Sequence, residues 1–180
     1  MIAFSLHKVM ARSALPLAVL LSGCLGGFQV AESPAAMPAF RPEAFFDGAT
    51  RGEGMLDVRG RADRHFTVAS TGHSKRDSGR DSDFVLDQVI RYADGEVQRR
   101  RFRMRHLDAQ RYTGSLTGAA GPVTARAEGN SFHLRYSMGK ARSMEQWIYL
   151  QPGGRTAFNR ATVRVLGMPV AHLSETIRRD

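Results

Sequence analysis

From Thr50 onward the chain alternates with a period of two, and the alternation breaks at closely spaced turn residues. In residues 99–106, Phe102, Met104 and His106 fall on one face of a strand, and Arg101, Arg103 and Arg105 fall on the other. A face of guanidinium groups cannot lie in hydrocarbon, so this strand belongs to a water-facing sheet whose other side packs against an interior. Residues 84–92 place Phe84, Leu86, Gln88, Ile90 and Tyr92 on one face, and Ala93-Asp94-Gly95-Glu96 supplies an Asp-Gly turn, so the two segments should pair as a hairpin.

The same period recurs in residues 52–59, 62–70, 111–117, 123–128, 131–138, 143–151, 156–166 and 169–178, with Gly60, Gly121, Gly129, Gly139, Pro152-Gly153-Gly154 and Gly167 between them. About ten short strands result, with no helical periodicity. Connections this short suit antiparallel neighbours and exclude the long crossovers of a parallel sheet. An open meander would leave two exposed edges, and closure removes both. The expected fold is all-β: a single antiparallel meander closed into a lipocalin-like barrel of about 8–10 strands. A short helical turn at residues 41–48, with Pro42 in its first turn, should bring Phe45 and Phe46 over the core.

The N-terminus has a different character. Lys8 and Arg12 precede an apolar run at residues 13–21, which ends at Leu21-Ser22-Gly23-Cys24. A short apolar run behind a basic segment has the layout of an export signal and falls short of the roughly 20 apolar residues of a permanent span. Small residues before a thiol suit signal cleavage and acylation, and this four-residue pattern resembles the lipobox of bacterial lipoproteins. Residues 1–23 are therefore expected to be a lipoprotein signal peptide. Residues 24–41 then form an acylated Cys24 with a Pro- and Gly-containing tether, and residues 42–180 form the barrel. Acyl chains contribute roughly 0.8 kcal/mol per buried methylene, so two or three of them hold a protein on a membrane. Leu25 stands where an Asp would favour retention at the inner membrane, so the expected location is the outer membrane, facing the periplasm.

Cys24 is the only cysteine, so its acylation leaves no thiol for a disulfide or a redox role. The 26 Lys and Arg against 17 Asp and Glu give a formal charge of +9, and loss of Lys8 and Arg12 with the signal leaves +7. Export removes nucleic acid as a partner and leaves anionic lipid head groups as the polyanions within reach.

Phe45-Phe46-Asp47-Gly48, the hairpin of residues 86–96 with Arg101 beyond it, Tyr112-Thr113-Gly114, Glu128-Gly129-Asn130, Trp147 and Phe158-Asn159-Arg160 together carry a family resemblance. In order and spacing they resemble the bacterial lipocalin-like lipoproteins catalogued as domain of unknown function 3833. The resemblance spans nearly all of the mature chain and implies a barrel and an envelope location, not an activity. Gln88 stands where that pattern usually has an acid, and Phe102 where it usually has Trp.

No catalytic constellation emerges. The Gly-x-Ser-x-Gly elbow is missing, the glycines of Arg51-Gly52-Glu53-Gly54 open no helix that could cradle phosphate, and His65, His73, His106, His133 and His172 lie on separate segments without metal-ligand spacing. The expectation is a non-enzymatic protein with no cofactor and no metal. Candidate ligand-binding residues are Gln88, Phe102, His106, Asn159 and Arg160; a buried Asn159 or Arg160 would need a polar partner such as Gln88. Arg91, Arg99, Arg101, Arg103 and Arg105 form a candidate surface for docking on anionic lipid, unless acids such as Asp57, Asp87 or Glu145 neutralise it. Two functions remain open: a carrier of a small amphiphile such as a lipid or fatty acid, or an envelope assembly protein that binds a partner through its basic face.

Overall fold

The computed structural model describes residues 38–77 and 80–180, with the side chains of residues 75–82 left out of the description. The expected signal peptide, Cys24 and tether residues 24–37 lie outside the described residues.

Among the described residues, ten strands follow one short helix: α1 (Pro42–Phe45), β1 (Gly48–Val58), β2 (Arg64–Asp77), β3 (Arg80–Tyr92), β4 (Val97–His106), β5 (Arg111–Leu116), β6 (Val123–Glu128), β7 (Ser131–Gly139), β8 (Arg142–Leu150), β9 (Thr156–Val165) and β10 (Met168–Arg179). Each strand pairs antiparallel with its sequence neighbours, and β1 pairs with β10, so the sheet is a closed ten-stranded barrel with no free edge. The predicted hairpin forms in register: Leu86 faces Phe102 and Asp87 faces Arg101 across β3 and β4.

Alternation sets the interior. Phe84, Leu86, Phe102, Met104, Leu134, Met144, Ile148 and Ile177 are buried in one cluster, while Arg99, Arg101, Arg103 and Arg105 are exposed on the outside. The arginine face is therefore solvent-facing, as the period required.

One end of the barrel is plugged. Pro42 starts α1 with a fixed φ, and Phe46 N–H donates to the Pro42 carbonyl at 2.9 Å to end it. Phe40, Phe45 and Phe46 pack together, with Phe45 edge-on to Phe46 at 5.0 Å and Phe40 against Phe132 at 5.8 Å. Phe40 is buried and its N–H donates to the Gly129 carbonyl, so it is packed as part of the plug. Strand β2 runs to Asp77, beyond the expected end at residue 70. Its extension supports the plug. A Cβ on Gly72 would sit 1.7 Å from the Phe46 carbonyl oxygen, so only glycine lets α1 lie this close.

Candidate functional site

Above the plug, the barrel encloses a cavity. Its volume is about 70 Å³. Phe46 contributes to the floor, and Phe66, Ile90, Phe102, Met104, Leu134 and Met144 are among the apolar walls. Drug-sized ligands occupy pockets of about 300–1,000 Å³, well above this volume, so even a slender chain enters only if wall side chains move. Two unbranched thioethers in the wall, Met104 and Met144, are the side chains most able to yield to an occupant.

Five polar side chains share this wall: Gln88, Arg100, Gln146, Asn159 and Glu175. Asn159 Nδ2 donates to Glu175 Oε2 at 2.8 Å across the β9–β10 pair. Glu175 Oε1 lies directly over Gly52 of β1, where a Cβ would come within 1.9 Å of it. The glycines of residues 52–54 thus belong to a strand, and Gly52 makes room for a carboxyl group inside the barrel. Burial pushes the Glu175 carboxyl above the usual carboxylate range, against the opposing pull of the Asn159 N–H and the Arg100 charge. Its accessible surface is intermediate only because it faces the cavity; protein surrounds it on nearly every side. Asn159 is 3% exposed, and its Oδ1 has no hydrogen-bond partner among the described residues. Arg100 reaches Gln98 Oε1 with Nη2 at 2.9 Å, and Gln88 Nε2 donates to Ser70 Oγ at 3.2 Å.

Of the ligand-binding residues expected from sequence, Gln88, Phe102 and Asn159 line the cavity. Asn159 meets Glu175, not Gln88, because β9 neighbours β10 while β3 lies across the barrel. Arg160 follows Asn159 by one residue, so it points outward and is exposed beside Trp147; it does not line the cavity. His106 points inward but does not line the cavity either. It sits at the plug, with Nε2 3.7 Å from Glu43 Oε2, Nδ1 3.3 Å from the Asp108 carbonyl, and its ring 4.1 Å from that of Tyr112. Tyr112 donates its hydroxyl to Glu43 Oε2 at 3.1 Å, and Ser74 Oγ donates to the Glu43 carbonyl at 2.6 Å. This buried cluster latches α1 to β2, β4 and β5.

Sequence reasoning missed Arg100, Glu175 and Glu43. The first two carried a signal: Arg100 shares its parity with Phe102 and Met104, and Glu175 with Leu173 and Ile177. Glu43 carried none, since the orientation of a single helical turn is not written in its period.

On the outer face, Arg101 forms a two-pronged ion pair with Asp87, with Nη2 2.8 Å from Oδ2. The pair lowers the Asp87 carboxyl below its usual range. Arg91, Arg99, Arg103 and Arg105 have no ion pair among the described residues. Arg99, Arg101 and Arg103 border a shallow groove with Ala69, Thr71 and Thr117. Glu145 is engaged elsewhere, by Arg135, His133 and Arg164.

A family model described as "Protein of unknown function (DUF3833)" matches residues 18–179. No curated protein matches the chain in sequence. Among solved structures, the S-type phycobiliprotein lyase CPES from Guillardia theta is similar with a TM-score of 0.60 at 10% identity, over 77% of this chain and 90% of that one. A protein of unknown function from the DUF3598 family of Nostoc punctiforme PCC 73102 is similar with a TM-score of 0.56 at 11% identity, over 83% of this chain and 53% of that longer one. At such identities the likeness is one of fold.

Proposed function

We propose that this chain, which belongs to the DUF3833 family of proteins of unknown function, holds one slender lipid-like amphiphile inside its barrel and does not transform it. The observation that carries the reading is the cavity itself, a mainly apolar interior with five polar side chains in its wall, Asn159 and Glu175 hydrogen-bonded to each other. The apolar chain lies along Phe66, Ile90, Phe102 and Leu134, and the head group meets Gln88, Arg100, Gln146, Asn159 and Glu175. One cation, one acid and three amides favour a head that both donates and accepts hydrogen bonds, and the buried, unpartnered Asn159 Oδ1 lacks a donor that such a head could supply after a small side-chain shift. The likeness in fold to a phycobiliprotein lyase is compatible with this reading. We place the protein on the outer membrane facing the periplasm, anchored through acylated Cys24. The Leu21-Ser22-Gly23-Cys24 sequence supports the anchor, and Leu25 after it supports the outer membrane.

The test is titration with a fluorescent long-chain amphiphile. Binding should saturate at one per protein, and Ala161→Phe, which fills the cavity from a buried wall position, should reduce affinity at least tenfold with the barrel still folded by circular dichroism. Equal affinity in Ala161→Phe would sink the reading. A second reading, docking of a partner through the outer basic groove, is favoured by the arginines there that lack an ion pair. Reversal of Arg99 and Arg103 to Glu should then abolish partner capture without unfolding.

A further inference from the structure

Two hairpins at the end opposite the plug combine features that a folded domain ordinarily avoids. The β7–β8 turn holds Lys140 at φ 49° and Ala141 at φ 56°, and the β9–β10 turn holds Leu166 at φ 51° beside Gly167 at φ 82°. These are the non-glycine residues in left-handed conformation among the described residues, and they sit side by side: Leu166 N–H donates to the Ala141 carbonyl at 2.9 Å, and Arg142 pairs with Val165. Such two-residue turns favour Asn-Gly, because a β-carbon at positive φ is costly. The sequence instead places Leu166 at the tip, 75% exposed, with Met168 next to it at 64%. Beside these two apolar side chains of one hairpin stand Lys140, Arg142 and Arg164, the last of them 3.6 Å from Glu145, with no acid in either turn. Lys140 and Arg142 have no carboxylate partner among the described residues; Arg142 makes only long hydrogen bonds, 3.4 Å, to the Gly139 and Met138 carbonyls.

We propose that these paired turns are a lip that docks the barrel on an anionic phospholipid surface, with Leu166 and Met168 entering the acyl region and Lys140 and Arg142 meeting lipid phosphates. Charge complementarity identifies the occupant: cations beside exposed apolar side chains match the layering of an anionic membrane, phosphates above hydrocarbon. Size points the same way. A stable protein interface buries on the order of 1,000 Å² or more, which two turn tips cannot supply, whereas shallow insertion needs only the tips. The surface stands independently of what the barrel holds.

The full chain in a Trp147→Phe background has no other tryptophan, so one reporter can be placed at will. Leu166→Trp reports on the lip, and Leu107→Trp, exposed at the plugged end, reports on the opposite pole. With vesicles of phosphatidylcholine and phosphatidylglycerol carrying brominated acyl chains, emission from Leu166→Trp should fall at least twofold more than that from Leu107→Trp. The difference should vanish in phosphatidylcholine alone and in the Lys140→Glu/Arg142→Glu variant. Met168→Trp, on ordinary strand backbone, repeats the reading if Leu166→Trp does not fold. Equal quenching at the two positions overturns the proposal, as does an unquenched lip.

Discussion

Leu166 holds a backbone conformation that costs an L-residue about 1–2 kcal/mol, and it spends an exposed apolar side chain there. Leu166→Asn should therefore raise stability by about 1 kcal/mol, visible as a rise of roughly 2–4 °C in Tm, while weakening membrane docking in the same protein. Glu175 makes the opposite kind of demand. Its folded carboxyl titrates above its unfolded value, so the folded state binds the proton more tightly. Its favourable contribution is complete below the unfolded carboxylate pKa and is lost as pH rises through the raised folded value. Wild type and Glu175→Gln should thus have closest Tm values at acid pH and diverge as pH rises toward neutrality, with Glu175→Gln the more stable; a difference independent of pH would contradict the burial of that charge. Parity along β10 already placed Glu175 with Leu173 and Ile177, so its inward direction was legible. Its partner was not, because the Asn159–Glu175 hydrogen bond depends on which strands are neighbours and in what register.

Strands were easiest to read where one face is buried, since burial enforces the period of two. The last part of β2 escaped because residues 71–77 carry no large apolar side chain to mark the period, and Gly72 and Ser74 are held by Phe46 and Glu43. That support is testable. Gly72→Ala would drive a methyl into the Phe46 carbonyl and should cost about 1–3 kcal/mol, the usual range for overpacking. Phe40→Ala should cost about 3–5 kcal/mol, read from denaturant unfolding, because the removed ring is fully packed. The turn between β4 and β5 rests on another device: Asp108 accepts from the Gln110 and Arg111 N–H groups and from the Arg111 side chain, which lowers its carboxyl to about 2. A lowered pKa gives stabilisation that is present above the unfolded value near 4 and lost as pH falls through the folded one. Amide protection in residues 107–111, measured relative to the intrinsic exchange rate at each pH, should therefore fall selectively between about pH 4 and pH 2.

At the scale of the molecule, ring closure was legible because ten alternating segments with short connections leave two edges that only β1–β10 pairing removes. Whether the interior was hollow depended on side-chain volumes that no period encodes: glycines at 52 and 54 and alanines at 157 and 161 set against phenylalanines at 46, 66 and 102. The result is a lipocalin-like barrel plugged at one end, with a narrow cavity above the plug and a polar cluster in its wall. Native mass spectrometry of the full-length protein, released from detergent micelles in the gas phase, reads that interior directly. One amphiphile per protein, displaced by organic extraction and missing in Ala161→Phe, is the predicted result. A bare protein mass after incubation with envelope lipid, or an adduct that persists undiminished in Ala161→Phe, would contradict a ligand held inside the barrel.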